Sequence, residues 1–388
     1  MSEKWIDKKV KDLCLLGRGR VISSMEISNN LGVYPVYSSQ SQNDGEMGRI
    51  NTFDFEGEYV TWTTDGAYAG TVFYRNGKFN CTNVCGTLKE KNKDELDLKF
   101  LAYLLSTVSK KHVSYVGNPK LMNGIMAEIY LRYPKLKTEQ TQIAIILSTL
   151  DKAIISAQQL IAKYQRIKTG LLHDLLAFGI DEKGNLRNEK THQFKDSKLG
   201  RIPLQWEPST IGKSCFVRNE FRLPLSQDVR AKMQGDYRYY GPTGVFDYIN
   251  EYRVEGRYIL IGEDGDHFLK YKNQEQTILV EGEFNVNNHA HILEGSKECS
   301  TDWIHLFFSH RDITLHLTRQ GAGRYKLNKT SLLNLDIALP KPNEQMEILK
   351  RINAIKGKTE QDQLHLAKLQ SLKTGLMQDL LSGKVRVK

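Results

Sequence analysis
Several short motifs in this chain carry residue types that do chemistry, and their spacing tests each one. Gly212-Lys213-Ser214 and Gly357-Lys358-Thr359 have the ending of a phosphate-binding loop. Such a loop needs a second glycine five residues upstream, so that backbone N–H groups can close around phosphate. Those places hold Glu207 and Ile352. Gly17-Arg18-Gly19 and Gly321-Ala322-Gly323 lack the third glycine of a dinucleotide fingerprint. The prolines include no adjacent pair, so the Asn/Asp-Pro-Pro-aromatic motif of nucleic-acid amino-methyltransferases is absent. Asp97-x-Lys99 matches a nuclease-like acid-x-Lys, but that spacing is common and the second half of the chain does not repeat it. Cys81 and Cys85 correspond to Val286 and Ala290 in the second half, which reads as two buried thiols on a strand and not as metal ligands. His289-x-His291 points two imidazoles to one side of a strand. Neither it nor His305, His310 and His316 has a Cys or carboxylate at metal spacing, so no metal site is expected. No Ser/His/Asp arrangement is identifiable. The chain reads as a binder, not a catalyst.

Two sets of residues suit binding to nucleic acid. One is basic. Residues 109–120 hold Lys110, Lys111, His112 and Lys120 with Tyr115 and no acid, and residues 311–329 hold Arg319, Arg324 and Lys326 with Tyr325 and one acid, Asp312. Lys and Arg supply charge to phosphate, and the glycines among them allow close backbone approach. The other set is rich in short hydrogen-bonding side chains: Ser38, Ser39, Gln40 and Asn43 in the run Tyr37–Gly45, with Tyr239, Tyr240 and Thr243 as counterparts. Amide and hydroxyl groups read base edges. The two counterparts differ in chemistry, as two readers of different sequences would.

The elements that must position these residues come twice. Residues 162–176 and 367–381 are identical at 10 of 15 places without a gap. Trp5 and Cys14 match Trp206 and Cys215; Glu56-Gly57 and Asp65-Gly66 match Glu255-Gly256 and Asp264-Gly265. Gly77-x-Phe79-Asn80, Lys120-Leu121 and Glu139-Gln140 match Gly282-x-Phe284-Asn285, Lys326-Leu327 and Glu344-Gln345. The chain is therefore two diverged copies of one unit, a mixed region followed by a helical one.

The helical regions show a heptad seam, with apolar steps of four and three. The first seam is Ile143, Leu147, Leu150, Ile154, Ala157, Ile161, Tyr164; the second is Ile348, Ile352, Ile355, then Leu366 and Leu369, weakened by Thr359 and Asp362 beside Gly357. Residues 139–176 predict a helix of roughly 57 Å, too long to bury its stripe inside one small domain. The mixed regions carry β-branched and aromatic runs between Gly and Asp turns, such as residues 59–62, 258–261 and 276–280, and short helices at residues 98–108 and 303–309. Each is expected to be a compact α+β domain. The polar stretch 181–200 reads as a linker.

The expected organisation is a first mixed domain at 1–138, a helical region at 139–180, a linker and second mixed domain at 181–343, and a second helical region at 344–388. The length of 388 residues and an apolar fraction of 40% fit two globular cores. The net charge of +10 leans toward nucleic acid. Five cysteines, an odd number spread along the chain, are no disulfide framework. Residues 1–9 lack a signal-type apolar run, and residues 143–147 are too short a run to span a bilayer, so a cytoplasmic protein without membrane contact is expected.

These motifs together resemble the specificity subunit of a type I restriction–modification system, over nearly the whole chain. The resemblance rests on residues 34–40 (Tyr-Pro-Val-Tyr-Ser-Ser-Gln), residues 285–291, and Pro340-Lys341-Pro342-Asn343-Glu344-Gln345 opening a helix. It rests also on Lys-Thr-Gly-Leu-x-x-Asp-Leu-Leu ending both helical regions and on the approach to Trp206. It implies two target-recognition domains, each binding half of a split site in double-stranded DNA, separated by two long antiparallel helices. It implies no cofactor on this chain. Two adenine methyltransferase subunits would bring S-adenosylmethionine chemistry, and restriction subunits would bring ATP and Mg. Two other functions remain open at this point: a self-sufficient DNA-modifying enzyme, and a coiled-coil scaffold for protein partners.

Overall fold
A computed structural model of the chain describes residues 5–40, 42–319 and 323–387, with the Gln42 side chain also left out. Residues 1–4, Ser41 and most of the Gly321-Ala322-Gly323 run thus lie outside the described residues. The chain divides into two units. One joins Met1–Leu160 to Asp362–Lys388, and the other is Ile161–Gln361.

Each unit holds a six-stranded sheet of the same order. In the first, the strands run across the sheet as Cys14–Arg18, Cys85–Glu90, Phe55–Thr63, Val72–Cys81, Leu31–Tyr37 and Glu46–Ile50. In the second they are Phe216–Val217, Ala290–Glu294, Val254–Gly262, Thr277–Val286, Gln234–Tyr240 and Val245–Ile249. Neighbours are antiparallel except one pair, in which Tyr37 lies beside Cys81 and Tyr240 beside Val286. The strand register reproduces the sequence repeat residue for residue. Gly57 faces Gly77 and Gly256 faces Gly282, all four with positive φ (100°, 104°, 134° and 90°). Only glycine adopts such angles cheaply, which accounts for the matched glycines of the Glu-Gly and Gly-x-Phe-Asn motifs.

The helices Leu98–Val108 and Thr301–Phe308 pack on the sheets, within two residues of the expected bounds. The Asp97 carboxylate caps the first by accepting from the Phe100 N–H at 2.9 Å and also accepts from the Thr141 hydroxyl at 2.8 Å. The acid of Asp97-x-Lys99 is therefore structural. The first core gathers Trp62, Phe100, Leu101, Leu121, Tyr133, Ile143 and Leu147 with Leu380 and Leu381 from the far end of the chain. The second gathers Trp206, Trp303, Phe307 and Leu327 with Leu175, Ile348 and Ile352.

Two long helices, Lys137–Ala177 and Pro342–Leu381, pass from one unit into the other. The expected seam positions are buried or half-buried along both helices. The second helix continues unbroken through Gly357, and Thr359 and Asp362 stay inward despite their polarity, so the weakness seen in the sequence does not interrupt it. The first helix contains an 18-residue window of mean hydropathy 1.3, long and apolar enough to cross a bilayer by length and composition alone. Ile143, Leu147 and Leu175 enter the two cores, while Ile145, Ile155 and Leu160 are exposed. The uninterrupted apolar run 143–147 is only part of this helix.

The Glu-Gln pair that opens each long helix has a double task. Gln140 donates to the Pro134 and Glu95 carbonyls, both at 3.0 Å, and accepts from the Asp97 N–H at 2.9 Å. Gln345 repeats this with Pro340 at 2.9 Å, Glu298 at 2.7 Å and the Ser300 N–H at 3.0 Å. The glutamate is held by an arginine that follows the other helix. Arg386 grips Glu139 at 2.6 and 2.7 Å, and Arg187 grips Glu344 at 2.5 and 3.1 Å. A carboxylate in a first helical turn also faces the positive end of the helix dipole. Each long helix ends at a glycine in the left-handed region, Gly179 (φ 60°) and Gly383 (φ 75°), which satisfies the last carbonyls. The stretch 181–200 is consequently more than a linker: it delivers the buried Arg187 and begins the hairpin Phe194–Ser197 with Gly200–Pro203.

Candidate nucleic-acid interface
A relay of backbone hydrogen bonds brings the two binding sets together in each domain. In the first, the Thr82 N–H donates to the Tyr37 carbonyl at 2.8 Å, and the Thr82 hydroxyl donates to Ser38 Oγ at 3.1 Å. Thr64 N–H donates to Val84 at 3.0 Å, Leu121 N–H to Thr64 at 2.8 Å, and Gly66 N–H to Pro119 at 3.0 Å. The hydrogen-bonding loop after Tyr37 is thus tied through two turns to the basic segment 109–120. The second domain repeats the relay. Asn287 N–H donates to Tyr240 at 2.9 Å, Glu263 N–H to His289 at 2.7 Å, Leu327 N–H to Glu263 at 2.8 Å, and Gly265 N–H to Tyr325 at 3.0 Å.

The residues within this frame divide by exposure. Lys110, Lys111 and His112 are exposed on the turn Ser109–His112, and Arg319 and Arg324 are exposed on the matching segment. Arg319 donates through Nε to the Gly323 carbonyl at 3.2 Å, and its guanidinium lies 5.1 Å from the Tyr325 ring. Lys120 and Lys326 behave differently. Lys120 Nζ lies 4.0 Å from Asp65, and Lys326 Nζ lies 3.4 Å from Glu263 and 3.8 Å from Asp264. Both lysines thus lie beside carboxylates, Lys326 the nearer, though each keeps about half its side chain exposed. The matched Asp-Gly and Lys-Leu motifs pin this loop: the leucine is buried, and its carbonyl accepts from Trp62 Nε1 at 2.8 Å in the first copy and from His291 Nε2 at 2.7 Å in the second.

In the loop after Tyr37, Gln40 and Asn43 are exposed and Ser38 and Ser39 half-buried. Thr243 is exposed on the Gly241–Gly244 turn, which a 2.8 Å bond from Gly241 N–H to Gly244 closes. Tyr239 and Tyr240 require correction as base readers. Tyr239 is 0% exposed and its hydroxyl donates to the Leu223 carbonyl at 2.6 Å. Tyr240 packs edge-on to Phe284. Their rings belong to the core, because the alternation of the strand Gln234–Tyr240 breaks at its end and buries both in succession.

The histidines and thiols stay apart as ligands. His289 bonds Asp264 at 2.9 Å, while His291 is enclosed and accepts from Arg222 Nη2 at 2.7 Å. Burial, and then Arg222, hold the His291 imidazole below its usual pKa, so it is neutral with the proton on Nε2. Among the described residues no three His, Cys, Asp or Glu side chains are grouped to hold a metal. Cys81 and Cys85 are buried with sulfurs 3.5 Å apart. Sequence reasoning missed Arg75. It is buried in the strand Val72–Cys81, with its guanidinium carbon 3.6 Å from the centre of the Tyr37 ring. The signal was available: a lone arginine whose counterpart in the second copy is Val280.

Comparison with known proteins gives one consistent result. The description of the type I restriction modification DNA specificity domain matches residues 2–165 and again residues 203–371. A Mycoplasma pneumoniae protein named as a type I specificity subunit is 46% identical over 352 residues, covering 88% of this chain and 86% of its own. The specificity subunit of the type I restriction enzyme MpnII, from the same organism, is 51% identical over 145 residues, 37% of this chain and 43% of its own. Among solved structures, the S subunit of a type I restriction–modification system from M. genitalium has a TM-score of 0.67 at 18% identity, over 98% of this chain and 96% of its own. That likeness shows the fold.

Proposed function
The chain belongs to the type I restriction–modification DNA specificity family, and from that premise we propose that each sheet domain reads one half of a split duplex site. The role is DNA sequence specificity, exercised within a restriction–modification complex. The observation that supports one half-site per domain is the duplicated relay: the scaffold is the same, while the loops it carries differ in length and chemistry. Exposed Lys110, Lys111, Arg319 and Arg324 supply sequence-independent attraction to phosphate, and Ser38, Ser39, Gln40, Asn43 and Thr243 approach base edges. The chain itself performs no bond-making. Two methyltransferase subunits, with S-adenosylmethionine, and restriction subunits, with ATP and Mg, would complete the assembly in the cytoplasm.

Domain exchange tests this. Residues 198–339 are replaced by the corresponding segment of a relative, and N6-methyladenine is mapped in cells carrying the assembled system. One half of the methylated motif is expected to change and the other to persist. A change in both halves rejects independent reading by the two domains.

A further inference from the structure
We propose that Arg75 is a positioning residue for sequence recognition by the first domain: from beneath, it fixes the loop that presents Gln40 and Asn43. The inference rests on the reading of that loop as a DNA contact. Arg75 is only 5% exposed. Its guanidinium stacks on the Tyr37 ring at 3.6 Å and the Phe73 ring at 4.4 Å. Nε donates to the Thr61 hydroxyl at 3.3 Å, and Nη2 donates to the Asp44 main-chain carbonyl in the loop. Among the described residues no carboxylate forms an ion pair with it. A buried cation is costly to keep; Asp44 attracts it without closing an ion pair, and its directed bonds go to Thr61, to ring faces and to the loop.

The loop in turn has a backbone that needs holding. Asn43 and Asp44 sit in the left-handed region (φ 49° and 55°), unusual for consecutive residues with side chains. Gly45 follows at φ 77°, where an added Cβ would lie 3.0 Å from the Gln40 carbonyl and 3.4 Å from Arg75. Ser38 N–H donates to the Gly45 carbonyl at 2.9 Å, and Gln40 Nε2 donates to the Glu46 carbonyl, so the neck is closed as well. The second copy lacks both halves of the device. Val280 stands opposite Tyr258 as Arg75 stands opposite Tyr59, and the shorter Gly241–Gly244 turn closes on itself. Long loop and arginine prop occur together in one copy and are absent together from the other.

The test uses the full chain co-expressed with its partner subunits, reading the methylated motif genome-wide. Arg75→Val installs the residue of the second copy. The expected result is relaxed recognition in one half only, with preference for the native base at one or more positions falling by about tenfold, the scale of one lost base contact. The other half is expected to stay intact. Since Arg75→Val could fail to fold, Gly45→Ala is measured alongside: it leaves Arg75 and the proposed base contacts Gln40 and Asn43 in place, crowds the left-handed turn against the Gln40 carbonyl, and is expected to relax the same half. An unchanged motif in a folded variant overturns the inference, and so does equal loss in both halves. Failure of the family reading is distinguishable, because the unaltered chain would then direct methylation to no split motif.

Discussion
His291 shows how a single side chain can make the second domain acid-sensitive. Its neutral ring donates to Leu327 and accepts from Arg222, and burial together with Arg222 lowers its pKa below the usual value. Protonation would remove the acceptor and set a second cation beside the guanidinium. The unfolded chain takes up a proton near pH 6.5, whereas the folded chain does so only at lower pH. The stability supplied by the neutral ring is therefore complete above about pH 6.5 and declines as pH falls toward the folded value. The buried His267 and the half-buried His305 are shifted the same way by desolvation, so they add to the slope. Thermal unfolding at pH 7.5 and 5.5 is expected to show a lower midpoint in acid and a smaller drop for His291→Asn. An equal drop in both proteins would show that His291 contributes nothing to it. The sequence made His291 visible only as a possible ligand, because its partners lie 36 residues away at Leu327 and 69 away at Arg222.

At the scale of elements, the joints matter more than the strands. Strand and helix positions were readable from β-branched runs, glycine turns and the heptad, since those signals are local. The joints were readable only as repetition. Glu139-Gln140 and Glu344-Gln345 stand out because they recur, yet the arginines that explain them lie 247 and 157 residues away. For the same reason Tyr239 and Tyr240 were misplaced: a hydroxyl-rich loop motif does not reveal which rings the fold has turned inward. The joints also differ in strength. Arg187 and Glu344 are nearly enclosed, and Trp206 Nε1 adds a bond to the same carboxylate at 3.0 Å. Arg386 is more open. Removing an arginine strands its carboxylate, at a cost of ~3–5 kcal/mol when both groups are buried and ~0–1 kcal/mol when both are exposed. Arg187→Ala is expected near the upper range and Arg386→Ala between the two, by chemical denaturation. A larger loss for Arg386→Ala would contradict this ranking.

For the molecule as a whole, the duplication gives two six-stranded sheets of matching order, and each long helix runs from residues of one unit into residues of the other. Gly170, Gly357 and Gly375 all lie within uninterrupted helix. If helix length governs the gap between half-sites, deleting seven residues from each long helix removes about 10 Å of rise, close to three base pairs. The methylated motif is expected to keep both halves and lose about that many intervening bases. A gap of unchanged length would mean that something other than the helices measures it.

The first unit is assembled from both extremities of the chain, whereas the second is a single unbroken stretch, Ile161–Gln361. The core begun by the first stretch therefore stays open until Leu380, Leu381 and the arginine that reaches Glu139 have been made. A ribosome that stops early would release a chain whose defect lies in the domain it made first.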